Sequence, residues 1–198
     1  MRIGRIFAAL ALTALAVLVV VPAPASAQGG SDSKSSTKEI YQANAMNLMG
    51  PAAGRSVGIT FTITSFATDA DKQTLADALA EGGSEGLMKA LKKMDCGYVA
   101  ATGRISWTLN AAWKEPTEDG GYRIRGMFQR QTGFRENYAN TRSLDYDFSL
   151  FELVLDAKGK GKGQIIPAAK ITFTKSNTIA IENFGAQPAL LMGLTRRK

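Results

Sequence analysis

Alternation of apolar and polar residues with a period of two is the most persistent signal along this chain. From Ser56 to Phe66, Val57, Ile59, Phe61 and Ile63 fall on one face, and Ser56, Gly58, Thr60, Thr62 and Thr64 fall on the other. That pattern, rich in β-branched residues, predicts a strand covered on one side. Ahead of it, Glu39 to Gly54 carries Ile40, Tyr41, Met46, Leu48 and Met49 without a clear period, and reads as a short helical or irregular lead-in ended by Pro51 and Gly54. After it the period becomes helical. Thr68-Asp69-Ala70-Asp71 has the form of a capping box, and Leu75, Ala76 and Leu79 share a face. Gly82-Gly83 stops this helix; Ser84 can cap a second one, with Leu87, Met88, Leu91 and Met94 as its apolar stripe.

Beyond Gly97 the chain reads as β throughout. Arg104 to Trp113 places Ile105, Trp107, Leu109, Ala111 and Trp113 on one side, and the turn cluster Pro116 to Gly121 leads into a returning strand from Tyr122 to Gln131. Thr132 to Ser143 is polar and reads as a long exposed loop. Leu144 to Ala157 is apolar on both faces, which predicts a central strand covered on both sides. The Lys158 to Gly163 run makes a turn, followed by strands at Ile165 to Phe173 and Thr178 to Phe184 around a tight turn at Lys175-Ser176-Asn177, and by a last apolar stretch at Leu190 to Leu194 that closes the sheet. Short connections imply antiparallel neighbours. The fold class expected is α+β: a curved antiparallel meander or partly closed β-barrel, with a short helix pair inserted after the first strand.

The N-terminus changes the picture by assigning a compartment. Arg2 and Arg5 precede an apolar run from Ile6 to Val21, Pro22 and Pro24 break any helix, and Ala25-Ser26-Ala27 offers a small-x-small cleavage site. Residues 1–27 therefore read as a secretory signal peptide cut after Ala27, and not as a span, for which roughly 20 apolar residues are needed. No Cys follows the run, which excludes a lipoprotein route. Gln28 to Lys38 is a Gly, Ser and Lys-rich tether, so the domain plan is leader 1–27, tether and lead-in 28–55, and one β-rich domain over 56–198. The expected location is periplasmic or secreted, with no membrane span after cleavage.

Charge and composition narrow the chemistry. Of 24 basic residues, two fall in the leader, and the remainder exceeds the 17 acidic ones by five. That mild excess suits weak attraction to anionic cell-surface polymers and lacks the dense basic clusters of a nucleic-acid binder. With no His, the chain has no Ser-His-Asp triad, no imidazole base and no His-ligated metal. Cys96 stands alone, so no intramolecular disulfide forms; it reads as a small buried residue, or as an intermolecular bridge. No loop of EF-hand type is seen, and neither a cofactor nor a metal is expected.

Four residues stand out as ligand-binding candidates. Arg123 and Arg125 share a strand face and Arg130 follows, a guanidinium set able to grip a carboxylate, sulfate or phosphate. Glu152 interrupts an apolar face between Leu150 and Val154, so it is either a polar contact for a ligand or one member of a structural pair with a neighbouring Arg. Trp107 and Trp113 form an aromatic platform if exposed, or core if not. The Lys158 to Gly163 run lacks the frame of a phosphate loop.

Turn and core signatures across Ser56 to Leu194 resemble a group of uncharacterised exported bacterial proteins. The resemblance rests on Gly58-Ile59-Thr60, Thr68-Asp69-Ala70-Asp71, Gly82-Gly83 with Leu87 and Ala90-Leu91-Lys92-Lys93, and Gly97-Tyr98. It continues through Asp119-Gly120-Gly121 with Arg123-Ile124, Gly133-Phe134 with Glu136, Ser143 with Asp145-Tyr146 and Phe148, and Glu182-Asn183. It implies one intact exported domain and carries no functional residue. The function expected is a non-enzymatic binding protein for a small amphipathic ligand, held in the concavity of the sheet, or for an envelope partner. One alternative is a carboxylate hydrolase using Glu136, Asp145 and Asp147; another is an assembly protein of the envelope mating through Cys96 or an edge strand.

Overall fold

The strands wind into a nearly closed barrel with one unsealed seam. The computed structural model describes residues 38–46, 54–130, 145–173, 179–184 and 187–197, all within one compact unit, Asp32–Lys198. The elements are β1 (Glu39–Met46), β2 (Ser56–Ile63), α1 (Asp69–Leu91), β3 (Gly97–Ala101), β4 (Trp107–Leu109), β5 (Ala111–Pro116), β6 (Tyr122–Gln129), β7 (Phe148–Leu155), β8 (Lys160–Phe173), β9 (Ile179–Asn183) and β10 (Ala189–Arg197). Every pairing is antiparallel, in the order β4-β3-β2-β1-β10-β8-β7-β6-β5, with β9 added to β8. The α+β curved sheet expected from the alternation is what the chain forms. The leader, the Gln28–Thr37 part of the tether, the loop expected over 132–143 and the turn at 175–177 lie outside the described residues.

The lead-in is corrected. Glu39–Met46 is a strand that pairs with both β2 and β10, so the helix follows the second strand and not the first. Its inward positions are Glu39, Tyr41 and Ala43, all buried. An acid and small residues on the core side give little apolar contrast, and the period of two was hidden by them.

Two layers of core meet at the sheet. The interior is filled by Tyr41, Phe61, Ile63, Val99, Ile124, Phe151, Leu153, Leu155 and Leu191 with their neighbours, several of them fully inaccessible. Gly126 makes this packing feasible: a Cβ there would stand 2.3 Å from the Phe151 ring, which in turn lies 4.5 Å from the Phe61 centroid. On the outside, Leu75, Leu79, Leu87 and Leu91 of α1 cover Met127, Phe148, Ala169 and Ile171 on β6 to β8. This accounts for the doubly apolar β7: Phe151, Leu153 and Leu155 face in, while Phe148 and Leu150 lie under the helix. Pro167, which has no N–H for the ladder, sits where β8 bulges against β7 and lends its carbonyl to the Ser149 hydroxyl at 2.8 Å.

The two helices expected on either side of Gly82-Gly83 both form within α1 and meet at a kink at Gly83, whose φ of 58° lies in the left-handed region open to glycine. The capping box is complete, with the Asp71 amide donating to the Thr68 hydroxyl at 3.1 Å and the Thr68 amide donating to Asp71 at 2.9 Å. Thr68→Ala is expected to cost about 1 kcal/mol, read as a lower urea midpoint at unchanged slope.

At the seam, the strand expected from Arg104 to Trp113 breaks in two. Trp107 and Leu109 pack against the interior core, whereas Ala111 and Trp113 join the helix-covered layer. The chain reverses its faces at Asn110 as it crosses from one sheet edge, β4, to the other, β5. The two tryptophans therefore lie on opposite faces and form no shared platform.

Candidate functional site

The guanidinium cluster is brought together, and it meets acids. Glu115 is opposite Arg123 across β5–β6, and Arg125 is opposite Glu152 across β6–β7. The Arg125 Nε donates to Glu152 at 2.9 Å, its Nη1 reaches Glu115 at 3.2 Å, and Arg123 Nε lies 3.5 Å from Glu152. Glu152 lies on the outer face beyond the edge of the helix-covered patch, so the ion pairs link three strands. Arg130 stands apart and donates from Nε to the Tyr146 carbonyl at 2.9 Å.

A second charged cluster, which sequence reading missed, sits inside one end of the barrel. Glu39 has a side chain only 8% exposed and accepts from Lys114 Nζ at 3.0 and 3.2 Å and from Arg196 at 2.9 Å. The Tyr41 hydroxyl donates to the same carboxylate. Burial, and then the bond to Glu39, push the Tyr41 phenol far above its ordinary range, so it stays a donor at any physiological pH. Lys114 Nζ also lies 4.2 Å from the Tyr122 ring centroid, in cation–π contact. Glu39 shares the inward row with Tyr41, a row without the apolar contrast that would have marked it in the sequence.

The open seam supplies a concave site. Lys92, Lys93, Met94 and Asp95, just past the helix, face Trp107, Thr108, Asn110 and Gln129 around a cleft of about 320 Å³. Asn110 is its floor and its staple. Only 5% exposed, it donates from Nδ2 to the Met94 carbonyl at 3.2 Å and accepts from the Gln129 amide at 3.0 Å. The side chain thus joins the α1–β3 connection to β6, while the Ala67 amide, donating to the Ala112 carbonyl at 2.7 Å, ties the β2–α1 link to β5. Trp107 belongs to the interior by parity yet stays half-buried, because the seam leaves one edge of its indole without a covering strand. Asp95 is occupied by the Gly97 amide at 2.9 Å, while Lys92 and Lys93 are exposed and form no ion pair among the described residues.

The remaining candidates are placed as follows. Asp145 and Asp147 are exposed, Glu136 lies outside the described residues, and Cys96 is buried at 2% exposure. Among the described residues no group of three or more acidic or sulfur ligands is arranged to hold a metal, and no helix is long and apolar enough to cross a membrane. Compared with protein-family models, curated proteins and solved structures, the chain matches none.

Proposed function

We propose that this chain is an exported binding domain that takes a small amphipathic anion in the seam cleft. The observation that carries the reading is the meeting, in one concavity, of two apolar side chains with two ammonium groups that form no ion pair among the described residues. Trp107 and Met94 offer the apolar surface, Lys92 and Lys93 the charge, and Thr108 and Gln129 the polar contacts between them. The barrel interior is filled by its own side chains, so the ligand enters at the seam and not in the concavity of the sheet. Arg125 is hydrogen-bonded to Glu152 on the outer face, with Arg123 3.5 Å from the same carboxylate, and in this reading the three serve the sheet.

The test uses sodium decanoate as probe and the fluorescence of Trp107, isolated by Trp113→Phe. A saturable change in emission is expected. In that background Lys92→Gln with Lys93→Gln should weaken binding about tenfold, the size of two exposed charge contacts. Absence of saturable binding, or an affinity unmoved by the lysine pair, would sink the proposal.

A further inference from the structure

The outer face at the end of β8 and β10 carries cations that the fold does not neutralise. Lys158, Lys160 and Lys162 are exposed, as are Arg197 and Lys38 beside them. Strand register shows why they stay unpaired. Lys162 is opposite Val154 and Arg197 opposite Ile40, both uncharged, and Lys160 lies between Thr195 on the β10 side and Asp156 across the β7–β8 turn, with no side-chain ion pair to that acid. The adjacent β5–β7 face follows the other rule, with Glu115 opposite Arg123 and Arg125 opposite Glu152.

The nearby acids are already occupied or lie to one side. Asp156 accepts from the amides of Lys158 and Lys160 through Oδ1 at 2.8 and 2.9 Å, closing the turn before β8; it keeps its negative charge there, a single acid among five cations. Glu39 is buried beneath Arg196, and Glu152 is turned towards β6. Glu118 and Asp119, in the β5–β6 turn, border the patch on the β6 side only. Lys38, Lys158, Lys160, Lys162 and Arg197 make no ion pair among the described residues.

We infer that this face docks the protein onto an anionic lipid bilayer. The shape of the patch selects that partner. Its cations are flexible lysines, separated by glycines on a convex outer face and at a turn tip; a convex face offers no cradle for one small anion. Among the described residues no aromatic ring for stacking bases is interleaved with them: the exposed Tyr98 and Phe184 lie on β3 and after β9. Diffuse, unneutralised positive charge on a convex surface matches an extended negative plane, where each Lys or Arg adds about fivefold to partitioning. The patch shares no residue with the seam cleft, so this inference stands apart from the ligand-binding proposal.

The experiment is sedimentation with vesicles, using the protein in the form its own cells accumulate. Vesicles of equal parts phosphatidylglycerol and phosphatidylcholine are compared with vesicles of phosphatidylcholine alone, with and without long-chain polyphosphate. Binding to the anionic vesicles alone is expected. It should fall roughly a hundredfold in the Lys158→Gln, Lys160→Gln, Lys162→Gln variant, and should vanish when salt shortens the Debye length to about 3 Å at 1 M. These positions are exposed, and an unchanged circular dichroism spectrum verifies that the variant folds. Equal binding to both vesicle types, binding that survives the triple variant, or capture of polyphosphate with no vesicle binding would each overturn it.

Discussion

Replacing Glu39 by Gln is expected to lower the unfolding free energy by about 2–3 kcal/mol, seen as a lower urea midpoint with an unchanged slope. The carboxylate is almost wholly enclosed and is shared by Lys114, Arg196 and Tyr41. An amide returns one acceptor but cannot balance the charge of two cations held at the barrel end. Breaking a buried pair by removing one partner costs about 3–5 kcal/mol, and the exposure of Lys114 (29%) and Arg196 (41%) places this one below that range. The cost should be partly relieved when Lys114→Met is added, because the stranded ammonium is then gone. A double-mutant cycle should give a coupling of at least about 1 kcal/mol. A change under about 0.5 kcal/mol for Glu39→Gln would show that solvent already screens the cluster.

Asn110→Ala should cost about 1–3 kcal/mol and should loosen the seam selectively. Truncation removes the partner of the Met94 carbonyl and of the Gln129 amide, and because both bonds are only part-buried each loss sits at or below the low end of the about 1–3 kcal/mol that a fully buried unpaired group costs. Hydrogen exchange gives the local reading: the Gln129 amide should lose protection by a larger factor than amides in β1 or β7. Asn110→Asp should fall between, since it keeps an acceptor for Gln129 while losing the donor to Met94. Equal loss of protection across the whole sheet would mean that Asn110 supports global stability and does not pin the seam.

Much of this architecture is legible in the sequence because burial on one side imposes a period of two. β2 and β6 are visible for that reason, β7 shows instead as a run apolar on both faces, and the helix announces itself through Thr68, Asp71 and its leucines. Legibility fails where the inward residue is not a large hydrophobe, as in β1 with Glu39 and Ala43. It fails again at Asn110, where alternation on paper runs unbroken through Trp107, Leu109, Ala111 and Trp113 while the chain changes faces. The cleft is invisible for a different reason. Its walls come from residues 92–95, 107–110 and 129, three stretches that only the winding of the sheet brings together. Strand pairing likewise decides whether a cation meets an acid, as at Arg125, or an uncharged residue, as at Lys162.

The placing of β1 between β2 and β10 has a consequence for the order in which the sheet is assembled. β1 meets β2, its neighbour in sequence, by closing a short loop, whereas the ladder to β10 (Ala189–Arg197) joins residues as far apart as Ile40 and Arg197. The β1–β10 ladder thus carries much the larger loop-closure entropy, and until it forms β1 presents an open edge, which makes this pairing one of the slow steps in completing the sheet.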